Sequence, residues 1–154
     1  MSARHTRPFP TREIHHAIDI DAPPAAVWAV LADTAAYGEW NPFIPRLEGD
    51  WRVGAKLSAL VATPGGGRPR TFEQTVLAVQ PGRELRWIVR VLVPGLLDGV
   101  HSFGLQPLPA GGTRFTQVER FRGLLVRLLR RQIDKTQLGM EQMNGALKRR
   151  VEGR

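Results

Sequence analysis

The stretch GLLVRLLRRQIDKTQLGMEQMNGALKRRV, Gly123–Val151, decides how the rest of the chain has to fold. Leu125, Leu129, Ile133, Thr136, Met140, Met143, Leu147 and Val151 recur at steps of three and four residues, so they share one face of a helix. Arg127, Arg131, Asp134, Glu141, Gln142 and Arg149 fall on the opposite face, and Asn144 lies at the edge of the apolar stripe. At about 1.5 Å per residue the helix is roughly 40 Å long, enough to cross a whole domain. Such a stripe cannot bury itself. Whatever precedes it must wrap around it.

The preceding residues have the pattern of a sheet. Residues 13–21 alternate, with Ile14, His16, Ile18 and Ile20 on one side of a half-buried strand. Ala22-Pro23-Pro24 ends that strand and starts a helix over 25–33, and 35–40 offers another helical turn before Asn41-Pro42 closes it. From residue 44 the spacing becomes that of strands, over 44–51, 55–63, 70–80, 83–92, 99–108 and 113–121. Between them lie turn signals such as Gly65-Gly66-Gly67, Pro81-Gly82, Pro94-Gly95 and Gly111-Gly112. Short links between long strands make an antiparallel meander. Seven strands, two short helices after the first strand and one long helix last define an α+β fold, a bent sheet closed over the final helix. A curved sheet and one helix leave space between them, so an apolar cavity is expected there.

Strand parity says which side chains face that space. Pairing Leu105 with Phe115 across the hairpin at 110–112 keeps Phe103, Leu105, Phe115 and Phe121 on one face. The same register sets Phe103 beside Gln117 and His101 beside Glu119, placing two polar residues and an imidazole among aromatic rings. An inward carboxylate beside an imidazole can hold a proton, orient a ligand hydroxyl or act as a general base near neutral pH. His101 and Glu119 are therefore the catalytic candidates, with a self-satisfied buried hydrogen bond as the plainer alternative.

Composition narrows the chemistry. The chain has 154 residues, 42% of them hydrophobic, which suits one domain with a real core over 13–152 behind a flexible lead-in over 1–12. It contains no cysteine, which removes disulfides, thiolate catalysis and cysteine metal sites. His15 and His16 face opposite sides of a strand and three of the four histidines lie within the first sixteen residues, so no histidine metal cluster is expected. There is no phosphate-binding glycine loop and no Gly-x-Ser-x-Gly elbow, and no cofactor is expected. No apolar run has signal-peptide or membrane-spanning length, so a cytoplasmic location is the expectation.

The net charge of +8 comes mostly from scattered arginines without interleaved aromatics. That argues against a specific nucleic-acid partner and allows at most transient contact with an anionic membrane surface. Oligomeric state is left open.

Two passages carry a family resemblance. One is IDIDAPPAAVWAVLAD, Ile18–Asp33, followed by YGEWNPFI, Tyr37–Ile44; the other is DGVHSFGL, Asp98–Leu105, then GTRFTQVERFRG, Gly112–Gly123, leading into the long helix. Together they resemble the START-like, helix-grip superfamily (SRPBCC), in its polyketide cyclase/dehydrase and lipid-transport branch, over residues 13 to about 150. The resemblance implies an elongated apolar pocket between the curved sheet and the last helix, and small hydrophobic ligands.

On these grounds the candidate ligand-binding residues are Phe43, Trp87, His101, Phe103, Phe115, Gln117, Glu119, Ile133, Met140 and Met143. Trp87 is inward by the parity of 85–91, Met140 and Met143 offer adaptable thioethers from the helix, and Phe43 follows the Trp40-Asn41-Pro42 connection. Each has ordinary core packing as its competing explanation. The loop over 92–98 is an apolar segment that can cover an entrance or touch a membrane. The expected function is binding of a lipid, quinone or aromatic polyketide-like molecule. The alternative is an aromatase/cyclase-type lyase using the His101–Glu119 pair; against it, Arg86, Arg90, Arg114 and Arg120 fall on the outer face of the sheet.

Overall fold

The computed structural model describes residues 8–153; residues 1–7, most of the expected lead-in, lie outside the described part. The strands are β1 (Thr11–Ile20), β2 (Arg46–Glu48), β3 (Lys56–Val61), β4 (Arg70–Gln80), β5 (Glu84–Val91), β6 (Leu97–Pro107) and β7 (Thr113–Arg122). The helices are α1 (Pro24–Ala32), α2 (Tyr37–Trp40) and α3 (Arg130–Glu152), with a 3-10 turn at Thr34–Ala36. All seven strands form one antiparallel sheet in the order β1-β7-β6-β5-β4-β3-β2. Strands β2 to β7 are a meander, while β1 pairs with the last strand because α1 and α2 carry the chain across to the far edge. α3 lies against β1, α1 and α2.

Curvature has a local cause. The β4–β5 register shifts between Val76 and Ala78, so Leu77 is an extra residue on β4 and its side chain stays exposed. A bulge of this kind bends the strand and adds twist. Across the bent sheet the alternation holds strictly: His101, Phe103 and Leu105 of β6 and Phe115, Gln117, Glu119 and Phe121 of β7 are buried, and their outward neighbours are more open. The register places Leu105 opposite Phe115, Phe103 opposite Gln117 and His101 opposite Glu119, as parity requires.

Most boundaries shift by one or two residues from the sequence reading, β6 for example starting at Leu97 inside the expected 92–98 loop, and three shifts have a clear local cause. Residues 11 and 12 are strand, not lead-in, because Thr11 and Arg12 find partners in Arg122 and Phe121 at the end of β7. The strand expected over 44–51 shrinks to Arg46–Glu48: Pro45 has no N–H to donate, and Gly49 at φ 124° leaves the extended region. The long helix starts at Arg130 rather than Gly123, which shortens it to 23 residues, about 34 Å. Gly123 sits at φ 146°, and the N–H groups of Leu124 and Leu125 donate to the carbonyls of Gly95 (3.2 Å) and Leu96 (3.0 Å). With those donors tied to the β5–β6 loop, residues 123–129 form an irregular turn in which Val126, not Leu125, is fully buried.

The short helices are pinned by polar groups. Tyr37 is buried and its hydroxyl donates to the Leu31 carbonyl at 2.7 Å; burial first, then the nearby Asp33 charge, pushes the phenol well above its usual range. Asn41 Oδ1 accepts from the N–H groups of Phe43 (3.0 Å) and Ile44 (2.9 Å), fixing the turn that delivers Phe43 to α3. That delivery explains a glycine inside the helix. A Cβ on Gly139 would run into the Phe43 ring, so glycine there lets the ring lie directly on the helix backbone.

Candidate functional site

All ten candidate side chains are buried, and the seven apolar ones belong to one continuous core cluster. Pairing explains their contacts. Trp87 on β5 is opposite His101 on β6, and the two rings stack at 4.7 Å with 17° between their planes. Phe103 meets Trp87 (4.7 Å) and His101 (5.4 Å) edge to face, and Phe115 closes on Phe103 at 5.3 Å. Trp51, half-buried at the end of the β2–β3 region, leans on Trp87 at 5.5 Å. The imidazole is thus walled by aromatic rings, whose faces favour a positive charge.

A chain of polar side chains runs from this imidazole across the core to α3 and β1. His101 Nδ1 lies 3.3 Å from Glu119 Oε2, and His101 Nε2 lies 2.8 Å from Gln117 Oε1. Gln117 Nε2 donates to Asn144 Oδ1 at 2.6 Å, and Asn144 Nδ2 reaches His16 Nδ1 at 2.8 Å and the His16 carbonyl at 3.3 Å. The direction of the chain follows from that last contact. A carbonyl only accepts, so Asn144 must turn its NH2 toward it and its oxygen toward Gln117. Gln117 then presents its NH2 to Asn144 and its oxygen to His101, which must carry a hydrogen on Nε2. His16 accepts through Nδ1. One backbone carbonyl on β1 thereby sets the tautomer of an imidazole three side chains away.

The remaining contact, His101 Nδ1 to Glu119 Oε2, would be repulsive between two lone pairs. The two atoms stand within ion-pair range, and a proton on either one makes the contact attractive. Gly99, two residues before His101 on β6 and opposite Phe121, keeps room for this pair: a Cβ there would come within 3.1 Å of Glu119 Oε1.

Asn144 and His16 are part of this site, and neither was among the candidates. Asn144 is completely buried although the helical pattern places it only at the edge of the stripe. His16 was legible as inward by alternation, but nothing in the sequence joins it to a residue 128 positions later. Trp40 packs on Tyr37 (5.2 Å, edge to face), and Asn41 fixes the turn that follows it.

The expected cavity is not where the hollows described here lie. One, of about 340 Å³, is on the outer face of the sheet beside Arg83, Ser102, Gly104, Arg114, Thr116 and Val118. The other, of about 270 Å³, lies where β1 meets the turn before α3. Neither is bordered by His101 or Glu119; the side chains between sheet and α3 pack on one another. Along β7 the inward side chains Gln117, Glu119 and Phe121 are all buried. Among the described residues no three potential metal ligands come together, and no helix is long and apolar enough to cross a membrane.

A seven-stranded curved sheet gripping a long C-terminal helix, with two short helices after β1, is the helix-grip architecture. Residues 11–152 match the profile of the polyketide cyclase/dehydrase and lipid transport family, and the chain belongs to that family. Solved structures share the fold. Norcoclaurine synthase from Thalictrum flavum superposes with a TM-score of 0.73 at 15% identity, over 94% of this chain and 96% of that one. A Mesorhizobium loti protein gives 0.68 at 23% identity, over 92% and 97%. The di-domain aromatase/cyclase StfQ of the steffimycin biosynthetic pathway gives 0.65 at 14% identity, over 92% of this chain and 52% of that one. No curated protein matches the sequence.

Proposed function

We propose that this protein binds a small hydrophobic molecule between the curved sheet and α3, with a hydroxyl or carbonyl of that molecule at the His101–Glu119 pair. The observation that carries the reading is the oriented chain from the His16 carbonyl through Asn144 and Gln117. It holds the imidazole through Nε2 and leaves Nδ1 and Glu119 Oε2 facing each other in an aromatic setting. Room for the ligand comes from displacing side chains now in mutual contact. Met140 and Met143 are suited to that, since an unbranched thioether repacks at low cost.

The test uses 2-naphthol as probe, a planar ring bearing one hydroxyl, titrated while tryptophan fluorescence is read; Trp87 stacks on the proposed contact. Saturable quenching is expected, weakened about tenfold or more in His101→Phe, which keeps a ring and removes both polar nitrogens. Equal affinity in wild type, His101→Phe and Glu119→Gln overturns the polar contact. Native mass spectrometry of protein from its own host would then identify the natural ligand by mass.

A second reading rests on the same pair. A His–Glu pair among aromatic walls has the parts of a general acid/base for dehydrating a poly-β-keto chain. Turnover of a polyketide mimic that is lost in Glu119→Gln while probe binding persists would favour it over a carrier role.

A further inference from the structure

The end of the molecule where the β5–β6 loop meets the turn before α3 has a surface unlike the rest. Among the described residues, five of the eight large apolar side chains left exposed are here: Phe9, Leu92, Val93, Leu124 and Leu128. Three separate segments bring them together. Gly123 N–H donates to the Pro10 carbonyl at 3.1 Å, Leu124 N–H donates to the Gly95 carbonyl at 3.2 Å, and a Cβ on Gly95 would meet the Phe9 ring at 3.9 Å. Leu92 is 81% exposed and Leu128 76%, values at which an aliphatic side chain gains nothing from folding. Leu92 is also the one non-glycine residue among those described with a positive φ, 68°, an unfavourable backbone state for an apolar residue in water.

The same end is positively charged. Arg122 stacks over Phe9 at 5.3 Å, and Arg127, Arg130 and Arg131 follow at the start of α3, where the helix has no acidic residue in its first turn. Helix dipoles place positive potential at this terminus, so arginines there add to it rather than offset it. Against them stand Asp134, paired with Arg12 at 2.5 Å, and Asp98, which accepts the Gly95 N–H. Arg12, Arg127 and Arg130 border the 270 Å³ hollow, which has room for a phosphate-bearing headgroup.

From this combination we infer that the end formed by Phe9, Leu92, Val93, Leu124 and Leu128 docks on an anionic lipid bilayer, the leucines entering the interface and the arginines meeting headgroup phosphates. Exposed aliphatic tips need an apolar partner, and the ring of guanidinium groups needs an anionic one; a bilayer with acidic lipids supplies both over one flat surface. The docking stands on the surface alone, whether or not the interior holds a ligand. It also places the bilayer about three to four strand residues, roughly 10–13 Å, from the His101–Glu119 pair.

The experiment is co-sedimentation of the whole protein with vesicles of phosphatidylcholine alone and with about 30% phosphatidylglycerol. Binding to the mixed vesicles is expected, falling as salt rises through the range where screening shortens to a few ångströms. Arg127→Gln/Arg130→Gln/Arg131→Gln should weaken it by about a hundredfold, taking about fivefold per arginine. Leu92→Ser/Leu128→Ser should weaken it about tenfold or more with an unchanged melting temperature, since both side chains are solvated in the free protein.

Equal binding to neutral vesicles, no binding to either at low salt, or binding indifferent to both variants overturns the inference. So does a vesicle-independent dimer that Leu128→Ser dissolves, because the patch would then be covered by a second copy. Loss of vesicle binding with 2-naphthol binding intact would confirm the docking surface separately from the interior site.

Discussion

The two ends of the C-terminal segment have similar sequence patterns and opposite fates. Around Met140, Met143 and Leu147 the apolar stripe is sealed completely, lies against β1, α1 and α2, and even admits a polar chain through Asn144. Around Leu124, Leu125, Leu128 and Leu129 the residues are as apolar, but two leucines are exposed and two are half-buried. The difference lies in what the sheet offers opposite. Toward the C-terminus of the helix β1 supplies a wall; at the N-terminal end the backbone is tied to the β5–β6 loop and turns away before a helix can form. Apolar content alone therefore does not mark the core. Position against the sheet does.

The largest expected effect tests that contrast directly. Leu147→Ala should lose about 3–4 kcal/mol, the range for a buried leucine whose cavity cannot collapse, while Leu128→Ala should stay within about 0.5 kcal/mol. Denaturant titration of both variants decides it, and similar losses would erase the distinction between the ends.

Next comes Asn144→Leu, a near-isosteric change at the sealed end. It strands Gln117 Nε2 and frees the chain that orients His101, and about 2–3 kcal/mol is expected by urea unfolding, with a melting temperature lower by roughly 4–12 °C in a thermal scan. No loss would mean that the buried amides are tolerated rather than needed.

Gly139→Ala should be smaller, about 1–2 kcal/mol destabilising: the clash with Phe43 outweighs the gain in helix propensity of about 1 kcal/mol. A stabilised variant would show that Phe43 moves freely, which would itself favour an interior that opens.

The smallest effect is at the rim of the sealed end. Asp19 accepts hydrogen bonds from Arg114 at 2.8 and 3.0 Å, which, with the guanidinium charge, hold its carboxyl below the usual value of 3.8; burial opposes this only partly. A lowered folded pKa contributes stability above pH 3.8, and that contribution is lost as pH falls from there through the folded value. Wild type and Asp19→Asn should therefore converge in stability on acidification below pH 3.8 and differ slightly above it. A gap that persists unchanged into strong acid would refute the pairing as its cause.

Much of the candidate site could be read in advance because its geometry is local. The hairpin at 108–112 is tight, so one inward residue on each side fixes the rest; Phe103, Gln117, His101 and Glu119 fall into place by a period of two. The inward Trp87 follows from Arg86 and Arg90 facing out. The arginines at 86, 90, 114 and 120 are indeed exposed, which keeps the interior free of guanidinium groups. Asn144 and His16 escaped this reasoning because their meeting depends on where α3 crosses β1, a distance and an angle that no window of sequence contains.

By itself, then, the sequence determined the number and order of the major elements, the inward face of each strand and the pairing of His101 with Glu119, since periodicity and tight turns are properties of neighbouring residues. The tertiary structure decided the rest: that α3 begins at Arg130, that Gly139 receives the Phe43 ring, that the His16 carbonyl orients His101 through two amides, and that one cluster of leucines faces water beside arginines. Each of these needs segments far apart in the chain to arrive at one place, and only the closed sheet and the docked helix bring them there.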